Sequence, residues 1–179
     1  NLVDDHTKVI TISAASNLLG SKSPLIEIGN IASEVGALYV VDAVHHAAHG
    51  PLDVQEIGCD FLILSAYKFF TPKYISFMYG KKEHLESLSP YTAGRNHANI
   101  HERWQWGTPD HAKHAAMTAT VDYLTWLGDR MKERYEDRFT DYNGRVRSLK
   151  IALSAIEQYE KGLSRAMLEG FDDVPGLLE

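Results

Sequence analysis

The chain has 179 residues, 44% of them hydrophobic and 23% charged, with a formal net charge of -6. That apolar content is enough for a packed core and excludes a disordered chain, while the acidic balance lacks the clustered Lys and Arg of a nucleic-acid surface. No apolar run approaches the ~20 residues of a bilayer span and the start lacks a signal-peptide pattern, so the expected location is the cytoplasm. The single Cys59 excludes an internal disulfide and a multi-Cys zinc site.

Strand and helix signals alternate over the first eighty residues, which predicts an α/β domain with a largely parallel sheet. Residues 8–14 are rich in β-branched side chains and read as a strand. Ser23 and Pro24 read as an N-cap and first helical position, and Leu25, Ile28, Ala32 and Val35 recur at helical spacing up to Gly36. Residues 37–44 form a short apolar run expected to be a strand buried on both faces. Residues 53–57 read as one or two helical turns ending at Gly58, followed by a buried strand over 61–64. A strand at 76–79 follows too closely for a helical crossover, so it runs antiparallel to its predecessor or takes another sheet position.

Beyond residue 110 long helices are expected. Thr108-Pro109 reads as the start of one, whose apolar stripe runs through Ala112, Ala115, Ala119, Tyr123 and Leu127 to Gly128. After a charged stretch at 129–141, a second pattern carries Val146, Leu149, Leu153, Ile156, Leu163 and Met167. The expected division is a sheet domain over 1–128 and a helical connection into a second domain over 129–179. Both ends read as cut, since the chain opens almost directly on a strand and closes where another is due.

Ligands of doubly wound sheets bind beyond the carboxyl ends of the strands, and three such ends carry polar residues. The first runs into Ser16-Asn17, the second into Asp42 and His45, and the third into Ser65 and Lys68. A lysine directly after a buried strand stands at a cleft, where partial desolvation makes its amine nucleophilic. An amine and an acid at neighbouring strand ends fit pyridoxal 5'-phosphate (PLP), with Lys68 holding the aldehyde and Asp42 keeping the pyridine nitrogen protonated. In that reading Asn17 and His45 hydrogen-bond the ring's phenolic oxygen, and Ser65 and Thr108 donate to the phosphate, Thr108 together with the amides of the helix it opens.

Residues 40–80 resemble the core of the class V aminotransferases, in particular the cysteine-desulfurase-like branch of the fold-type-I PLP enzymes. The family's Asn-x-x-Gly stretch is matched by Asn17 and Gly20, its Asp-x-x-Gln/His motif by Asp42 and His45, and its Ser-x-x-Lys motif by Ser65 and Lys68. Its later Arg-aromatic-Glu-x-Gly-Thr segment resembles residues 103–108, with Gln105 in place of Glu. The resemblance covers roughly residues 8–128 and implies a PLP-dependent transferase-like large domain, truncated here, with a mostly parallel sheet and flanking helices. It also implies a homodimer, a Schiff base on Lys68, a threonine at position 108 that reaches the partner's cofactor, and chemistry on an amino-acid substrate. Desulfuration, transamination and epimerisation are all within its scope.

One departure falls beside the lysine. The family's Gly-Pro-Lys-Gly-x-Gly turn reads here with Thr71, Tyr74 and Ser76 in the three glycine places, so the loop is expected to take a different path or pack less tightly. Cys59 is expected to be a small buried residue and not a reactive thiol.

Each site residue has a plainer alternative. Lys68 can contact a carboxylate, Asp42 can satisfy loop amides, Asn17 with Gly20 can make a turn, and Thr108-Pro109 can simply begin a helix. Arg95 and Arg103 are candidates for a substrate carboxylate. The groups His45/His46/His49, His97/His101 and His111/His114 raise a metallohydrolase alternative, although no HExxH or cysteine set accompanies them and no metal is expected. A non-catalytic α/β fragment or assembly module is the remaining alternative.

Overall fold

The computed structural model describes residues 2–91, 99–105, 107–172 and 174–176. They fall into two compact units, Asn1–Ala47 with Leu52–Met117, and Ala48–Pro51 with Thr118–Glu179.

The first unit is built on a four-stranded sheet in the order β1 (Val9–Ser13), β2 (Leu38–Asp42), β3 (Phe61–Ser65), β4 (Ser76–Gly80). The first three strands are parallel, and β4 returns antiparallel to β3, as the short spacing requires. Between them lie α1 (Leu25–Val35) and α2 (Val54–Ile57). The shorter helix is bracketed by its own sequence: Asp53 accepts from the amides of Gln55 and Glu56, and Gly58 closes it in a left-handed conformation.

Side chains alternate across the strands, and only one face forms the core. Tyr39, Val41 and Leu62, with Ile10, Ile12 and Leu64, pack against Ala32, Leu25 and Ile28 of α1 and against Ile57. The opposite face carries Val9, Ile63 and Met78 with substantial exposure. The expectation that residues 37–44 are buried on both faces is therefore corrected, because Leu38 and Val40 on that face are only partly buried and Asp42 is exposed. The start of α1 also differs. Pro24 occupies the cap position, and the Ser23 hydroxyl donates instead to the Ser13 carbonyl at 2.7 Å, tying the helix entry to the end of β1.

At the amino end of β3, Asp60 accepts from the Tyr39 amide at 2.7 Å and from Lys81 Nζ at 2.7 Å, with His84 Nε2 at 3.1 Å. Burial pushes its carboxyl up, but the Lys81, Tyr39 and His84 contacts together outweigh burial and hold it below the usual carboxylate range. The cluster fastens β2, β3 and α3 (Lys82–Ser87), far along the strands from Lys68. Arg103 at the end of α4 (Ile100–Arg103) donates to the carbonyls of Leu85 and Glu86, and Trp104 Nε1 donates to Leu85 at 2.9 Å. Both side chains thus close the last turn of α3.

α5 (His111–Arg130) belongs to the first unit up to Met117 and to the second beyond it. In the second unit it is joined by α6 (Gly144–Asp172), with Tyr135 and Ile151 at the centre and Met131 and Phe139 packed on them. The predicted stop at Gly128 is corrected, since α5 continues to Arg130. Gly128 is needed for contact: a Cβ there would overlap the backbone carbonyl of Ser148 in α6. Ser148 locks the crossing by donating to Asp129 Oδ1 at 2.6 Å.

Candidate functional site

The parallel register puts Ser13 beside Asp42 and Asp42 beside Ile63, while the antiparallel register puts Ser65 beside Ser76. Because paired residues share a face, Ser13, Asp42, Ser65 and Ser76 lie on one face at one edge, the carboxyl end of β1 to β3. The Oγ atoms of Ser65 and Ser76 are 3.2 Å apart. Asp42 accepts the Val44 amide on Oδ1 at 2.9 Å, which bends the chain as it leaves β2 and occupies one of the carboxylate's several acceptor positions. His45, partly buried, follows in that turn.

Lys68 ends a short 3-10 turn, Ala66–Lys68, directly after β3. Its Nζ donates to Oδ1 of Asn17. Asn17 reaches it from the loop after β1, where Ser16 Oγ accepts the amides of Leu18 and Leu19 and left-handed Gly20 closes the turn onto the Ser16 carbonyl. The plainer turn forms, and it presents Asn17 to the lysine. The sequence alone points Asn17 to a cofactor oxygen, whereas the structure pairs it with Lys68.

The chain after Lys68 is a hairpin loop that closes with the Ala66 amide on the Ile75 carbonyl at 2.9 Å, and the amides of Phe69 and Thr71 bond the Ala66 carbonyl inside it. Phe70 (φ 62°) and Tyr74 (φ 70°) are left-handed. Of the three positions where the family motif has glycine, Tyr74 keeps the backbone that glycine favours, and Thr71 and Ser76 do not. A left-handed non-glycine residue costs about 1–2 kcal/mol. The Tyr74 ring has the Lys113 ammonium 5.6 Å from its centroid, a contact that contributes about 0.5–1 kcal/mol at an exposed site.

Thr108 is exposed and lies before α5, not in it. Asp110 caps that helix by accepting the Lys113 amide at 3.2 Å, and Lys113 Nζ returns to Asp110 at 2.9 Å. That ammonium, with the amide, holds the Asp110 carboxyl below its usual range. The expectation that Thr108-Pro109 opens the helix is thus corrected, because the carboxylate two residues on takes the cap.

Cys59 is fully buried, and burial pushes its thiol up. No group of three His, Cys, Asp or Glu residues with metal-holding geometry occurs among the described residues. His49 instead meets Glu160 at 2.9 Å within the second unit, and the rings of His111 and His114 stack edge to face. Arg103 is engaged on α3, which argues against its candidacy for a substrate carboxylate. Arg95, His97 and Trp106 lie outside the described residues. No helix of the described residues is long and apolar enough to cross a membrane.

Residues 1–161 match the family model for the aminotransferase class-V proteins. The chain belongs to the aminotransferase class-V family. Members of this family are in general PLP enzymes. A probable cysteine desulfurase of Synechocystis sp. is 40% identical over 152 residues, covering 79% of this chain and 36% of that protein. A cysteine desulfurase of Yersinia pseudotuberculosis is 31% identical over 153 residues, covering 79% of this chain and 38% of its own. Among solved structures, the apo cysteine desulfurase of Thermococcus onnurineus superposes with a TM-score of 0.71 at 24% identity, covering 95% of this chain and 41% of that one. The class-V chain therefore spans somewhat over a third of the length of these relatives, and the α/β fold with a mostly parallel sheet is the one they share.

Proposed function

We propose that this chain is part of a PLP-dependent enzyme that acts on an amino acid in the manner of a cysteine desulfurase, with the Schiff base on Lys68. The observation that supports the reading most is the meeting of Lys68 with Asn17 at the same sheet edge that carries Asp42. The donor set suits the group: an amine for an aldehyde, an acid for a pyridinium, and the hydroxyls of Ser65 and Thr108 for a phosphate.

When bound, the cofactor supplies an electron sink for the bonds at the substrate's α-carbon. Asn17 orients the Lys68 amine, which shuttles a proton at the α-carbon. Asp42, braced by the Val44 amide, keeps its charge toward the ring nitrogen, and His45 is assigned to the phenolic oxygen. Cysteine is the favoured substrate because of what the relatives are named for, and with Cys59 buried the acceptor thiol has to come from elsewhere. We place residues 1–128 in the cofactor domain and 129–179 in the helical connection to a smaller one, in a cytoplasmic homodimer where Thr108 serves the partner's site.

The test is titration of the complete protein with PLP, followed by its visible absorbance. A coloured, borohydride-reducible adduct that disappears in Lys68→Ala supports the reading. A protein that stays colourless with excess cofactor overturns it.

A further inference from the structure

We infer that Tyr74 is a positioning residue for Lys68: its ring, set against the Lys113 ammonium, straps the lysine-bearing loop to the first turn of α5. The functional consequence rests on the PLP reading above, whereas the strap itself stands on the geometry of the first unit. Tyr74 precedes Ile75, whose carbonyl closes the loop on the Ala66 amide, and Lys68 lies two residues beyond Ala66. A shift at Tyr74 is therefore passed across that one closing bond to the turn that ends in Lys68.

Stability alone does not account for a tyrosine here. Its backbone is left-handed, the region where glycine carries no penalty, and the contact with Lys113 returns less than that conformation costs. What the ring adds and glycine lacks is a link to a second element. Lys113 is itself fixed by the ion pair to Asp110, the cap of α5, so the ring is tied to the start of the helix that follows Thr108. Lys68, proposed for this chain's own cofactor, and Thr108, proposed for the partner's, are in this way held in one frame.

The experiment compares Tyr74→Gly, Tyr74→Phe and Lys113→Met in the complete protein, by amide hydrogen exchange without cofactor and by PLP affinity. Exchange at Phe69 and Thr71, the amides bonded to Ala66, is expected to quicken about two- to fivefold in Tyr74→Gly and in Lys113→Met, the factor that the contact with the ring represents. Affinity is expected to fall by no more than about two- to fivefold in both, while Tyr74→Phe, which keeps the ring, stays close to the parent on each measure. The unfolding temperature of Tyr74→Gly is expected to hold or rise, which separates lost positioning from lost fold. Unchanged exchange in Lys113→Met overturns the proposal, as does a Tyr74→Phe variant that behaves like glycine or an affinity indifferent to all three. If the parent protein takes up no PLP while exchange responds as described, the cofactor reading fails and the strap stands. If PLP binds and the loop does not respond, the strap fails alone.

Discussion

Asn17 and Lys68 are 51 positions apart in sequence, yet the side-chain carbonyl of one receives the ammonium of the other. The contact is solvent-exposed, so its net contribution is at the lower end for a hydrogen bond to a charge, about 1 kcal/mol. Asn17→Ala, which removes the group that orients Lys68 and the cofactor contact expected of Asn17, is accordingly expected to weaken PLP binding about fivefold, the equivalent of one such bond. Equilibrium titration by absorbance measures it, and parent-like affinity would show that Asn17 only shapes its own turn.

Asp42→Asn separates charge from shape. The amide keeps an oxygen for the Val44 N–H, so the turn after β2 should survive and circular dichroism should not change. In the proposed PLP reading, loss of the negative charge would leave the ring nitrogen without the partner that keeps it protonated. Exchange of the substrate α-proton with solvent, read by NMR, should slow by about a hundredfold or more, or about 3 kcal/mol in the barrier. A variant with undiminished exchange would remove Asp42 from the chemistry.

The Asp60 cluster sets an acid limit on the fold. A carboxyl held below its usual value contributes stability that is present above its unfolded pKa of about 4 and is lost as pH falls through the lower folded value. The raised Lys81 ammonium works in the opposite sense, contributing below the ordinary lysine value and losing that contribution as pH rises through its own. Replacing Asp60 with Ala orphans the buried Tyr39 amide and is expected to cost about 2–3 kcal/mol near neutrality, with little added for the partly exposed Lys81. The difference between the unfolding curves of parent and variant should shrink as pH falls below about 4.

Two glycines on the helices of the second unit should respond with opposite signs. Gly128→Ala drives a methyl into the Ser148 carbonyl and is expected to cost about 1–3 kcal/mol through separation of α5 and α6. Gly162→Ala meets nothing within 4 Å and should stabilise α6 by about 0.5–1 kcal/mol. Urea titrations of the pair provide the check, and a tolerated alanine at position 128 would deny the tight crossing.

What was legible in the sequence was whatever depends on neighbours along the chain. Asp53 and Gly58 bracket α2 because cap chemistry is local, and the reversal of β4 follows from the few residues that separate it from β3. Readings failed where a side chain had a better partner elsewhere. Ser23 left the helix start for the Ser13 carbonyl, and Asp110 took the α5 cap from the Thr108-Pro109 pair. Gly128 looked like a stop because its reason lies on another helix, and Arg103 looked free until α3 was beside it. At the site, the order of motifs points to Lys68, Asp42 and Asn17, but the bond between the first and last needs β1 and β3 brought to either side of β2. The left-handed Tyr74 was flagged only as a missing glycine.

The antiparallel return of β4 has a bearing on the order of assembly. A hairpin draws together residues close in the chain and forms within about 1–10 μs, whereas parallel neighbours must wait for a crossover to be laid down. Lys68 rides on the hairpin, while Asp42 and Asn17 come to the same rim only through β1–β2 and β2–β3 pairing. Lys68 is thus mounted early on a self-contained clip, and Asp42 and Asn17 are delivered to its rim as the sheet widens.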